Sequence, residues 1–243
     1  MSSQLALNLR LRAGSAFGNF IAGRNAQVLQ RVSAAVAGMH TYSTVANHSA
    51  DLVSIFLWGE SGCGKTHLLE AACRAAHEAG MSPAYVSFQD AHQFPVTLLE
   101  GLEQVGLVAL DDLQCMAGQS AWERAVFGLY EQLRARGGVL LIAARANPAT
   151  LGIDLPDLAS RLGAGLVYQL HLAADTDKIL ALRQRSTQRG MDMPEEVAHY
   201  ILARYPRDMH ALFQLLDRID HASLAAQRRL TIPFVRSIIG GPS

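Results

Sequence analysis

The chain is poor in lysine. Lys65 and Lys178 are the only two in 243 residues, so nearly all of its 21 basic side chains are arginine. Nor does charge of one sign prevail: 21 basic residues balance 21 acidic ones, and charged residues make up only 17% of the chain. A dedicated nucleic-acid binder usually carries a basic excess, so strong direct DNA binding is not expected. The cysteines, Cys63, Cys73 and Cys115, form no C-x-x-C pair, which argues against zinc or dithiol chemistry. Their odd number and wide spacing suit a reducing, cytoplasmic compartment. Long apolar runs are missing too: none approaches the roughly 20 residues that span a bilayer. The N-terminus has no charged start followed by an unbroken apolar core, so no signal peptide is expected. The nine histidines include no H-E-x-x-H pair, which removes that route to a metal site.

Half of the residues are hydrophobic, the opposite of a disordered profile. The length suits one large domain or a core with a small appendage. Apolar stretches at 52–58, 84–88, 106–110 and 139–144, with a fifth candidate at 165–171, are continuous rather than alternating. Such runs predict strands buried on both faces, hence a parallel sheet. Between them, 65–79 and 121–136 carry apolar residues at i, i+3, i+4 spacing, as amphipathic helices do. The expected architecture is an α/β fold, a parallel sheet sandwiched by helices. After residue 174 the pattern turns helical over 175–189, 194–205, 207–223 and 231–239. Pro206 suits a first helical turn there, and Thr231 suits an N-cap. Three regions follow: an extended segment 1–14, an α/β domain 15–174 and a small all-helical domain 175–243.

Gly59-Glu60-Ser61-Gly62-Cys63-Gly64-Lys65-Thr66 fits the phosphate-loop pattern G-x-x-x-x-G-K-[ST], with a strand before it and a helix after it. Glycines let successive backbone N–H groups face a phosphate, and the helix N-terminus adds partial positive charge. Lys65 would reach the β- and γ-phosphates, and the Thr66 hydroxyl would ligate Mg²⁺. Cys63 reads as a filler of a variable position, with thiol oxidation that blocks nucleotide as a secondary reading. Leu107-Val108-Ala109-Leu110-Asp111-Asp112 ends a strand in two carboxylates, a Walker-B arrangement. Asp111 would hold Mg²⁺ through water, and Asp112 would orient an attacking water.

Three stretches carry a resemblance. They are Gly64-Lys65-Thr66-His67-Leu68-Leu69, Asp111-Asp112-Leu113-Gln114, and the upstream segment from Ala16 to Asn25 that holds Phe17, Phe20 and Gly23. Together they resemble the AAA+ ATPase core of the bacterial initiator DnaA. Leu155-Pro156-Asp157-Leu158-Ala159-Ser160-Arg161-Leu162, the C-terminal Gln227-to-Val235 stretch and Gln4-Leu5-Ala6-Leu7-Asn8-Leu9 resemble the Hda family of DnaA-related regulators within that group.

The resemblance implies a helical lid after the α/β core and either ADP or ATP as ligand. It puts the 17–23 segment beside the adenine, with Phe17, Phe20 and His67 among the nucleotide contacts. It makes Arg161 an arginine finger acting on a neighbour's nucleotide and Arg207 a second-sensor arginine in the lid. Gln4, Leu5, Leu7 and Leu9 would form a peptide that binds the DNA polymerase III sliding clamp (β subunit). Read by itself, their period-2 pattern also suits a terminal edge strand. The implied partners are the DnaA initiator and the clamp, with self-association through the finger face and no membrane.

The implied role is negative regulation of replication initiation by stimulated hydrolysis of DnaA-bound ATP. The absence of a basic helix-turn-helix region after the lid favours a regulator over an initiator. A self-contained ATPase, such as a helicase loader or a DnaA-like initiation factor, is the alternative. A small-molecule kinase is disfavoured, because the lid shows no cluster of arginines around an acceptor site. Arg145, with Asn147 nearby, stands where DnaA-like proteins place an Asp-Arg pair, which leaves the first-sensor role open.

Overall fold

The continuous apolar runs become five parallel strands in the computed structural model of the protein, which describes residues 15–43, 52–226 and 230–240. The described residues divide into two compact units, one reaching Leu172 and one starting at Ala173.

In the first unit the strands are β1 (Leu52–Trp58), β2 (Ala84–Ser87), β3 (Leu107–Asp111), β4 (Gly138–Ala144) and β5 (Leu166–Gln169). Their order across the sheet is β2-β3-β4-β1-β5, with all neighbours parallel. The helices are α1 (Ala26–Ser43), α2 (Lys65–Glu78), α3 (Ser120–Arg136) and α4 (Pro156–Ala164).

Two apolar layers flank the sheet, which is why the central strands read as unbroken apolar runs. Ile55 and Leu57 of β1, Leu107 and Ala109 of β3, and Leu141 and Ala143 of β4 meet α1 and α2 on one face. Phe56, Val108, Leu110, Leu140 and Ile142 meet α3 and α4 on the other. The stripe Leu68, Leu69, Ala72, Cys73 and Ala76 of α2 is fully buried, as its spacing predicts. On the opposite face Trp122 of α3 meets Phe88 edge to face, ring centroids 5.5 Å apart. β5 departs from the pattern: it is a short edge strand, and three of its four residues are exposed.

The second unit holds α5 (Asp175–Gln188), α6 (Glu195–Arg204), α7 (Met209–Ala226) and α8 (Ile232–Ile239). They share a core that includes Leu182, Val197, Ile201, Leu212, Leu216, Ile219 and Val235. Two helix starts differ from expectation. Pro206 lies before α7 rather than in its first turn. Asp208 supplies the cap there, its carboxylate accepting from the Ala211 N–H at 3.0 Å. Thr231 occupies the N-cap position of α8 but makes no capping bond, and Pro233 lies in the first turn.

Among the described residues no helix is long and apolar enough to cross a membrane.

Candidate functional site

The strand order sets the site. β4 lies between β1 and β3, so the loop after β1 and the carboxylates after β3 flank its C-terminal end. In open α/β sheets, ligands bind at that end, where strand order reverses. The Gly59 N–H donates to the Ala144 carbonyl of β4 (3.3 Å). A side chain at Gly59 would collide with the Leu170 carbonyl. Gly64 caps α2 with φ +100, and a Cβ there would come within 2.6 Å of the Phe20 ring. Both positions therefore need glycine. Gly62 also has positive φ, +82.

Lys65 is buried at the first turn of α2. Its ammonium donates to the Gly59 carbonyl (2.7 Å) and the Glu60 carbonyl (2.9 Å), across the turn of the loop. The Thr66 hydroxyl donates to Asp111 Oδ2 (2.6 Å), which joins the loop to the end of β3. Asp111 Oδ2 also accepts from the Tyr85 hydroxyl of β2 (2.8 Å), and Oδ1 accepts from the Asp112 N–H (2.8 Å). Burial pushes the Asp111 carboxyl up, while the bonds from Thr66 and Tyr85 pull it down. Burial and the adjacent Asp111 push the Tyr85 phenol up, which keeps it a hydrogen-bond donor.

Asp112 sits in the left-handed region at φ 55, a conformation aspartate tolerates better than most residues. Its Oδ1 accepts from the Gln114 amide (2.8 Å), and Gln114 Oε1 accepts from the Arg145 N–H (3.0 Å). Gln114 thus bridges the second carboxylate to the exit of β4. The Arg145 side chain is exposed. Asn147 caps the short turn Pro148–Thr150, accepting from the Thr150 N–H (3.1 Å).

The upstream segment packs on the start of α2. The Phe20 and His67 rings lie 5.6 Å apart, and His67 Nε2 is 3.0 Å from the Ala16 carbonyl. Phe17 packs against the same apolar layer. Phe17, Phe20, Gly59, Gly62, Gly64, Lys65, Thr66, His67, Asp111 and Asp112 therefore share one neighbourhood. Cys63 is buried inside the loop, and that burial pushes its thiol up against the pull of Lys65. Enclosure of this kind limits access of an oxidant to the sulfur.

Arg161 stands apart on α4. Its Nε pairs with Glu131 Oε1 of α3 at 2.9 Å, and its side chain is 39% exposed. Arg207 belongs to the second unit, where it pairs with Asp175 at 3.0 Å. Gln4, Leu5, Leu7 and Leu9 lie outside the described residues.

Several supporting residues escaped sequence reasoning, Tyr85 among them. Asn25 clips the segment after β5, with its amide donating to the His171 carbonyl and accepting from the His171 N–H, both at 2.8 Å. The Ser15 hydroxyl donates to Glu70 Oε2 at 2.6 Å, and both groups are buried. Glu70 was detectable as a lone acid within the apolar stretch from Leu68 to Ala72. Glu123, 1% exposed on α3, accepts from the N–H groups of Gly118 (2.8 Å), Asp154 (3.0 Å) and Leu155 (2.8 Å). Leu155 is the N-cap of the helix that carries Arg161.

Glu123→Ala would leave three backbone donors without their acceptor. It is expected to destabilise the first unit by about 3–5 kcal/mol, read as a lowered midpoint in urea unfolding. Glu123→Gln, which keeps one carbonyl acceptor, should lose less.

A parallel core of this strand order, with a glycine-rich loop after β1, two carboxylates at the end of β3 and a helical second unit, has the AAA+ fold. The chain belongs to the bacterial DnaA ATPase domain family, whose model matches residues 11–169, and the model of the Hda lid domain matches residues 175–239. Together the two matches place it among DnaA-related replication regulators.

Solved structures share the fold. Domain III of DnaA from Thermotoga maritima superposes with a TM-score of 0.70 at 18% identity, covering 92% of this chain and 95% of that one. AMPPCP-bound DnaA from Aquifex aeolicus gives 0.68 at 23%, covering 86% and 66%. The Thermotoga maritima RuvB branch-migration motor gives 0.66 at 16%, covering 94% and 72%.

Proposed function

We propose that the protein is a nucleotide-bound adaptor that restrains replication initiation by stimulating hydrolysis of ATP held by DnaA. The observation that carries this reading is the Hda-type lid over 175–239, joined to a DnaA-type core. The similar fold of an AMPPCP-bound DnaA supports ADP or ATP as ligand. Phosphates would lie along the backbone N–H groups from Gly59 to Thr66, with Lys65 beside them and Phe17, Phe20 and His67 flanking the base. Arg207 would serve as the second-sensor arginine of the lid.

The donor set suits Mg²⁺. Thr66 and Asp111 are hard oxygen ligands already joined at 2.6 Å, and Mg²⁺ typically uses one or two protein oxygens plus substrate phosphates. When bound, the ion would neutralise phosphate charge. Thr66 would ligate it and Asp111 would hold its water.

In the proposed cycle the clamp on DNA is the meeting place. Gln4, Leu5, Leu7 and Leu9 would dock on it as an extended peptide, leucines in an apolar pocket and the Gln4 amide in directional hydrogen bonds. Arg161 would then enter the DnaA nucleotide site, where a guanidinium stabilises charge developing on the transferred phosphoryl. Self-association through the same face would compete with that encounter.

Deleting residues 1–10 is expected to abolish clamp binding in a pull-down while nucleotide binding persists. Unchanged clamp affinity would return the leucines to an edge-strand role. In a reconstitution of DnaA, ATP, clamp and DNA, the full chain should speed loss of DnaA-bound ATP, and no acceleration would refute the adaptor reading.

One observation favours a self-contained ATPase instead. Asp112 is held by Gln114 beside a complete phosphate loop, where it could orient water. That alternative requires substantial turnover by the protein alone, lost in Lys65→Ala.

A further inference from the structure

The Asp111 carboxylate is crowded with protein donors. An ionised carboxylate offers about four lone-pair directions. The hydroxyls of Thr66 and Tyr85 both end on Oδ2, at 2.6 and 2.8 Å, and the Asp112 N–H ends on Oδ1 at 2.8 Å. One direction, on Oδ1, is left for a further donor. Thr66 has spent its single hydroxyl hydrogen on Asp111, so it has only lone pairs to offer another partner, as a cation ligand must.

Tyr85 is the member of this set that the phosphate-loop and Walker-B patterns do not contain. It stands on β2, in register with Ala109 of β3, two residues before Asp111. Its ring packs partly buried against the apolar layer of α1 and α2. Among the described residues no other side-chain hydrogen bond from β2 reaches the Asp111 carboxylate; Ser87 meets Asp111 through the backbone ladder. The phenol therefore holds the same carboxylate oxygen as Thr66, but from β2, the strand beyond β3 from the loop.

We infer that Tyr85 is a positioning residue for the divalent-cation site: its hydroxyl fixes the Asp111 carboxylate so that one Oδ1 direction faces cation-bound water and the Thr66 hydroxyl keeps its lone pairs for the cation. The inference rests on the Mg²⁺–nucleotide reading given above. It assigns the residue no contact with nucleotide. Its loss should alter the response to Mg²⁺ and leave metal-free nucleotide binding intact.

The test uses the full chain and fluorescent ADP, titrated in EDTA and over a Mg²⁺ series. Tyr85→Phe is expected to bind ADP in EDTA as the parent does, while the Mg²⁺ concentration needed for half of the tightening rises roughly tenfold or more, as for other residues that orient metal ligands. In a double-mutant cycle, Asp111→Asn should remove the Mg²⁺ effect, and Tyr85→Phe should add nothing to it. A parent that binds no ADP under either condition would refute the nucleotide reading itself and this inference with it. A parent that responds to Mg²⁺, with the same midpoint in Tyr85→Phe, would overturn the role of Tyr85 alone. An equal loss of affinity in EDTA and in Mg²⁺ would also overturn it, by showing a merely structural part.

Should Tyr85→Phe fail to fold, 3-fluorotyrosine in the parent chain supplies a second measurement. The Tyr85 fluorine signal, assigned by replacing the other five tyrosines, must shift when Mg²⁺ joins the ADP complex. A signal indifferent to Mg²⁺ overturns the inference.

Discussion

Arg161→Ala is expected to slow the stimulated hydrolysis of DnaA-bound ATP by about 10³-fold or more. A loss of that size corresponds to roughly 4 kcal/mol in the barrier. The structure supplies a favourable starting point for a finger. Arg161 is more than a third exposed, and its ion pair with Glu131 lies in a partly solvated setting. Pairs of that kind typically stabilise by about 0–1 kcal/mol, so releasing the guanidinium costs little beside what it can contribute to a transition state. The same exposure predicts that Arg161→Ala folds normally. Its thermal midpoint should lie within a degree or two of the parent's, since surface substitutions usually stay within about 0.5 kcal/mol. Arg161→Lys should rescue poorly, because an ammonium cannot reproduce the planar fork of donors. The measurement is single-turnover loss of ATP preloaded on DnaA, with clamp, DNA and the variant added. A parental rate from Arg161→Ala would remove the finger assignment and leave the lid and loop readings in place.

Lys65→Ala is expected to weaken nucleotide binding by about 10- to 100-fold. A charge-assisted hydrogen bond contributes about 1.5–3 kcal/mol, and 1.4 kcal/mol is a tenfold change in affinity. Lys65 is 7% exposed and held by the Gly59 and Glu60 carbonyls, so its ammonium is positioned by the loop. The chain's scarcity of lysine fits this: an ammonium is a compact point charge that enters a tight backbone turn, where a guanidinium would need more room. Fluorescent-nucleotide titration with circular dichroism as a fold control separates the two effects. Parental affinity with an intact fold would move the phosphate site away from the loop.

Much of the α/β core was legible because its signals are local. β1 and β4 are apolar runs with burial on both faces, and α2 and α3 carry their buried stripes at helical spacing. The loop between β1 and α2 was legible for the same reason: its pattern is compressed into eight consecutive residues. β5 was placed correctly but misjudged in burial, because an apolar run does not reveal whether a strand has neighbours on both sides.

The supporting groups were hidden by distance along the chain. Tyr85 meets Asp111 across 26 residues, Glu123 meets Leu155 across 32, and Asn25 meets His171 across 146. Glu123 and Asn25 bind backbone groups, which every residue carries, so no side-chain pattern at the far end marks the partner. Pro206 illustrates the converse. Proline fits a first helical turn, but Asp208 can cap and proline cannot, so α7 begins later.

The fifth strand has a consequence for solubility. β5 closes one side of the sheet with only four residues, and Leu166 and Val167 are exposed on it. A long apolar edge would be a template on which a second chain could add a strand. Here the ladder is too short to reward such an addition, since very short edge strands offer few backbone partners. Lengthening β5 by even a turnless pair of β-branched residues should therefore make the protein more prone to self-association while leaving its nucleotide site untouched.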